Sequence, residues 1–125
     1  MTKADAKMRI TEPARAEATK DVSPEACETM GHVRAGIDRL DRDLVAIIAE
    51  RQRYIEAAAR IKPAKSEVRL EWRIEDVVAK VLAEAHKKGL SKRIAEPVWR
   101  EMIEKCIEHE HFCWDLAHPG EIKKD

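Results

Sequence analysis

Three charged side chains in this sequence fall where a helix should carry apolar ones, and a charge inside an apolar stripe is either paired or used. Arg51 lies seven residues after Leu44, four after Ile47 and three before Tyr54, which puts its guanidinium on the inward face of the helix those residues define. Lys62 follows eleven residues later, about 20° away in helical phase and about 16 Å along the axis, so the two long side chains can point into one cavity. Glu110 stands four after Cys106 and three after Ile107, again at core phase but on a separate segment. A carboxylate there is either paired with a core cation or protonated by desolvation. Each residue alone reads more simply as a snorkelling cation or a structural salt bridge. Two cations and one acid at core phase on separate helices together describe an anion-binding pocket inside a helical bundle.

The elements that must position these groups are legible as helices. Ser23-Pro24-Glu25 supplies an N-cap hydroxyl, a proline at the first helical position and an early acid. From Val33 the apolar positions Ile37, Leu40, Leu44, Ile47, Ile48, Tyr54, Ile55, Ala58 and Ile61 recur at steps of three and four until Pro63 stops the pattern. A helix of roughly 38 residues, about 57 Å long, is predicted, and its length argues that it packs against a second copy of itself. Residues Lys62 to Arg69 form a connector. A second helix, marked by Val77, Val78, Val81, Leu82 and Ala85, closes at Lys87-Lys88-Gly89, cations and a glycine suited to its negative end. Ser91 can cap a third helix, with Pro97 expected to set an initial turn apart from its main body. The expected fold is therefore all-α: three helices with a long first one, in an intertwined helical homodimer. Its expected organisation is a flexible N-terminal arm over 1–22, a helical domain over 23–118 and a C-terminal tail over 119–125.

Composition narrows the function classes. Lys plus Arg equals Asp plus Glu at 24 each, so no global field draws the chain to nucleic acid or to an acidic membrane, and anion binding must come from local placement of cations. Met1 to Lys20 contains no apolar core of a secretory signal, and no stretch approaches the roughly 20 apolar residues of a membrane span. Cys27, Cys106 and Cys113 fit no zinc-ligand spacing of the Cys-x-x-Cys kind and read as free thiols of a reducing, cytoplasmic compartment. His109, His111 and Cys113 sit close enough in sequence to be considered as metal ligands, with helix-surface histidines the simpler reading, so no metal site is expected. Trp72, Trp99 and Trp114 are expected to be packing residues.

The run from Arg34 through Ile37, Leu40-Asp41, Leu44 and Ile47-Ile48 to Arg51, followed eleven residues later by Lys62, resembles the first helix of the all-helical chorismate mutases. That family's pattern is R-x-x-I-x-x-L-D-x-x-L-x-x-L-L-x-x-R with a later lysine, and the likeness extends more weakly from about Met30 to Leu116. The resemblance implies that Arg34 and Arg51 clasp substrate carboxylates, one of them supplied by a partner subunit. Seventeen residues separate them by about 25 Å along a single helix, too far for both to hold one small molecule, whereas an antiparallel second copy would bring Arg34 of one chain toward Arg51 of the other. It further implies that Lys62 binds the ether oxygen and a carboxylate, that Arg73 lines the pocket, and that Glu110 stands where relatives carry glutamine or glutamate. Leu70 and Cys106 fall at positions where relatives often carry an aspartate and a small hydroxyl residue, so the contact to the substrate hydroxyl is changed here.

The activity so implied is the rearrangement of chorismate to prephenate, an intramolecular pericyclic step without organic cofactor or metal. Arg51, Lys62 and Glu110 are the expected catalytic residues, with Arg34, Arg73, Cys106 and Leu70 toward the substrate. The alternative activity is isochorismate–pyruvate lyase, which shares the fold and the cations. The phrase from Tyr54 to Lys62 and the eleven-residue interval from Lys62 to Arg73 resemble that branch. An aminodeoxychorismate mutase and a non-catalytic helical dimer of the same fold are the remaining alternatives.

Overall fold

The computed structural model describes residues 22–122 of the chain. Among them the structure is helical, without strands: α1 spans Met30–Ile61, α2 Glu71–Lys88, α3 Lys92–Ala117 and α4 Pro119–Ile122, with short 3-10 turns at Pro24–Ala26 and Lys65–Glu67. The all-α expectation, with three main helices and a long first one, holds. Except for Val22, the arm expected over 1–22 lies outside the described residues, as does the tail beyond Ile122. No helix among the described residues is long and apolar enough to cross a membrane. The chain divides into two compact units, Met1–Ala49 and Glu50–Asp125.

In the first unit the helix begins later than Ser23-Pro24 predicts. Ser23 makes no side-chain cap bond, Pro24 opens only a three-residue turn, and Cys27 returns to an extended conformation. Thr29 is the working cap: its Oγ1 accepts from the His32 amide at 3.1 Å, while His32 Nδ1 accepts from the Glu28 amide at 3.1 Å. This reciprocal arrangement satisfies two amide donors at the helix start, an advantage the Ser23 site lacks. The helix accordingly has 32 residues rather than roughly 38. Among the described residues the side chains of its stripe stay largely exposed, with Ile37, Leu40, Leu44, Ile47 and Ile48 between 42% and 62% exposed.

The second unit carries the core, in which Ala59, Val68, Ile74, Val78, Ile103, Ile107 and Trp114 pack together. Helix α2 ends as its Lys-Lys-Gly sequence predicts. Gly89 adopts φ 76°, its amide donates to the His86 carbonyl, and the Leu90 amide donates to the Ala85 carbonyl at 2.9 Å. Those two bonds satisfy carbonyls that the last turn would leave bare, and the left-handed backbone they need suits glycine. Helix α3 starts on Ser91, whose side chain accepts from the Arg93 amide at 3.2 Å. Pro97 does not divide it, contrary to expectation: α3 runs unbroken from Lys92 to Ala117 with Pro97 inside. The proline forfeits the one bond its amide would have given the Arg93 carbonyl, and the helical ladder continues on either side of it.

Trp114 is the largest fully buried side chain. Its indole Nε1 donates to the Lys62 carbonyl at 2.9 Å, which ties α3 to the residue just past α1. His118 stacks on the Trp114 ring with centroids 4.0 Å apart. Of the three tryptophans, Trp72 departs from the packing expectation, being 67% exposed at the start of α2.

Candidate active site

A cavity of about 460 Å³ opens in the second unit, and Arg51, Lys62, Leu70, Arg73, Cys106 and Glu110 all line it. The spacing of the sequence delivers them there. Arg51 lies near the end of α1 and Lys62 just beyond it, Leu70 and Arg73 flank the first turn of α2, and Cys106 and Glu110 stand one turn apart on α3. Six of the seven site residues expected from sequence therefore meet. Arg34, exposed on the other unit, is not among the lining residues.

The centre of the site is an ion pair. Lys62 Nζ donates to Glu110 Oε2 at 2.7 Å, and their side chains are 24% and 5% exposed. Among the described residues Glu110 is the buried charged group. Lys62 can reach it because the Trp114 indole holds the lysine backbone in place from the same face of α3. Beside the pair, Arg51 Nη1 donates to Cys106 Sγ at 3.2 Å, a weak partner that leaves the rest of the guanidinium fork for an anion. Arg73 turns toward α2 instead and donates to Asp76 at 2.7 Å. Lys80 and Arg73 together hold the Asp76 carboxyl below the usual carboxylate range.

Sequence reasoning missed part of the wall. Tyr54 and Trp72 both line the cavity and both are exposed, so their rings stand at its mouth rather than in a packed core. The signal for Trp72 was its place beside Arg73 at the start of α2. The potential metal ligands also regroup: His109 and Cys113 meet Glu56 of α1 and not His111. None of those three lines the cavity.

The arrangement suits a small dianion. Three cations, Arg51, Lys62 and Arg73, and one acid paired with Lys62 line a largely apolar cavity, where a positioned charge acts more strongly than in water. Comparison with known proteins places the chain in a family. The family described as chorismate mutase type II matches residues 33–111, which include Arg34, Arg51, Lys62, Arg73 and Glu110. A relative named isochorismate pyruvate lyase, from Pseudomonas aeruginosa, is 26% identical over 92 residues, covering 74% of this chain and 91% of the relative. From the match across helices α1 to α3, the chain belongs to the chorismate mutase type II family.

Proposed function

We propose that the chain is an isomerase that rearranges chorismate to prephenate. The observation that carries this reading is the Lys62–Glu110 pair beside Arg51 on the wall of one cavity. In the reaction an ether C–O bond breaks as a C–C bond forms within the same molecule, so no nucleophile, leaving group or proton transfer is needed. The protein must hold the enolpyruvyl group over the ring and stabilise the negative charge that grows on the ether oxygen. Arg51 suits a substrate carboxylate because its fork binds two oxygens at once. Lys62 supplies a cation to the ether oxygen. Glu110 accepts from Lys62 and so fixes where that cation stands. Arg73, paired with Asp76, stands on the same wall as a further cation toward the substrate, and Leu70 and Cys106 bound the space beside it.

The second substrate arginine in this reading is Arg34 of the partner subunit in a homodimer. The exposed apolar stripe of α1 supports the dimer, since a run of such residues on one helix face is the pattern of a helix–helix interface. The setting that fits the activity is aromatic amino acid biosynthesis in the cytoplasm.

A specific observation favours a second reading, isochorismate–pyruvate lyase. The named relative carries that activity and aligns over nearly its whole length. The same cations would hold isochorismate while its C–O bond breaks and a ring hydrogen passes to the departing enolpyruvyl group, giving salicylate and pyruvate. One experiment separates the two: incubate the purified chain with chorismate and with isochorismate and identify the products. Prephenate from chorismate supports the mutase. Pyruvate with salicylate from isochorismate, without prephenate from chorismate, replaces it by the lyase. No turnover of either leaves a non-catalytic helical protein.

A further inference from the structure

Away from the cavity, Glu56 of α1 and His109 and Cys113 of α3 bring three metal-ligand chemistries to one place. All three are half-buried, and one ligand atom from each lies within 4.8 Å of the others. His109 Nε2 stands 2.7 Å from Glu56 Oε2 and 3.5 Å from Cys113 Sγ. His109 and Cys113 share a face because they are four apart on a helix, whereas His111 is turned about 200° from His109. Glu56 comes from another helix and completes a set that the sequence of α3 alone does not contain.

The distances can be compared with a tetrahedral ion. Bonds of about 2.3 Å to sulfur and about 2.05 Å to nitrogen place those two atoms about 3.6 Å apart around zinc, close to the observed sulfur–nitrogen separation. Nitrogen and oxygen would stand about 3.3 Å apart, so the Glu56 carboxylate has to draw back by about 0.6 Å from its hydrogen bond to His109. A small rotation of a half-exposed glutamate achieves that. We propose that Glu56, His109 and Cys113 form a three-ligand site for a borderline divalent cation, zinc fitting best, with the fourth tetrahedral position open to solvent.

The donor set excludes the hard cations, because a thiolate and an imidazole are poor ligands for magnesium or calcium. The Glu56 carboxylate within the set favours a cation beside the sulfur. Bound there, the ion links α1 to α3 within the second unit. This site is independent of the reaction proposed for the cavity, and either stands if the other fails.

The test uses the full chain, stripped with a chelator and titrated with zinc chloride alone in competition with a chromophoric chelator. One zinc per chain is expected. Cys113→Ser and His109→Ala should each weaken binding by at least about 10²-fold, more than the loss of an outer-shell contact costs. His111→Ala and Cys27→Ser should change it by less than about twofold, since neither side chain belongs to the set. Cobalt provides a check that does not depend on affinity: the parent and Cys27→Ser should show thiolate-to-cobalt charge-transfer absorption, and Cys113→Ser should not. Should a ligand variant lose its helical circular dichroism, Glu56→Gln, altered on a half-exposed side chain, takes its place. Zinc bound undiminished by Cys113→Ser, zinc lost in His111→Ala, or no stoichiometric zinc in the parent would overturn the site.

Discussion

Helix α1 belongs to two different environments. Before residue 50 its stripe of Ile37, Leu40, Leu44, Ile47 and Ile48 is exposed, while nine residues beyond that point Ala59 is fully buried against the α2 and α3 core. The hydrophobic period is the same on both sides, so period alone does not decide burial. Burial requires a neighbour, and among the described residues it is the later part of the helix that packs into the core. Apolar surface is stabilised by about 25 cal/mol for each Å² removed from water, so a continuous uncovered stripe is a strong reason for association.

The sharpest way to break that contrast is to charge the uncovered stripe. Leu40→Glu combined with Leu44→Glu is expected to abolish self-association at micromolar concentration, measured by analytical ultracentrifugation. Activity should disappear with it if Arg34 acts across the interface. A double variant that still sediments as the parent would sink the dimer reading.

The covered region should respond through its own stability. Trp114→Ala removes the largest buried side chain and the bond to the Lys62 carbonyl, and is expected to cost about 3–5 kcal/mol in denaturant unfolding. Trp114→Phe keeps most of the volume and loses the hydrogen bond, so it should cost about 1–2 kcal/mol. Equal losses in the two variants would show that packing contributes little at this position.

Within the site, Arg51→Ala is expected to lower kcat/KM on the preferred substrate by at least about 10²-fold, near 2.7 kcal/mol of transition-state stabilisation. Lys62→Ala should lower it as much, and it also leaves Glu110 buried without its cation. Pairing it with Glu110→Gln separates the two effects: the double variant should regain stability and stay inactive. Activity near the parent level in Arg51→Ala would remove that residue from substrate binding.

The smallest expected effect lies between α2 and α3, where Arg100 donates to both oxygens of Glu75 at 3.0 Å. Arg100 holds the Glu75 carboxyl below the usual carboxylate range. A depressed folded-state value contributes stability above the unfolded value of about 4.3, and that contribution is lost as pH falls through the folded one. Glu75→Gln should therefore lower Tm slightly at neutral pH, and the difference from the parent should vanish in acid. A difference that persists at low pH would assign it to packing rather than to charge. The pair is solvent-exposed, so the shift at neutral pH should be small.

Much of this protein could be read from sequence because helices are local objects. The three- and four-residue steps placed α1 to α3, Lys87-Lys88-Gly89 marked the end of α2, and Ser91 marked the start of α3, each through contacts made within a few residues. Arg51 and Lys62 share a face by helix geometry alone. The misjudged points were decided by competition or by distant neighbours. Thr29 displaced Ser23 because His32 completed a reciprocal cap, and Pro97 stayed inside α3 at the loss of a single bond to the Arg93 carbonyl, with the rest of the ladder intact. Only the tertiary structure could bring Glu110 to Lys62 and Trp114 to the Lys62 carbonyl, or set Glu56 beside His109 and Cys113. These partners are some fifty residues apart, and the meeting of such residues depends on how helices pack, which a helical period does not encode.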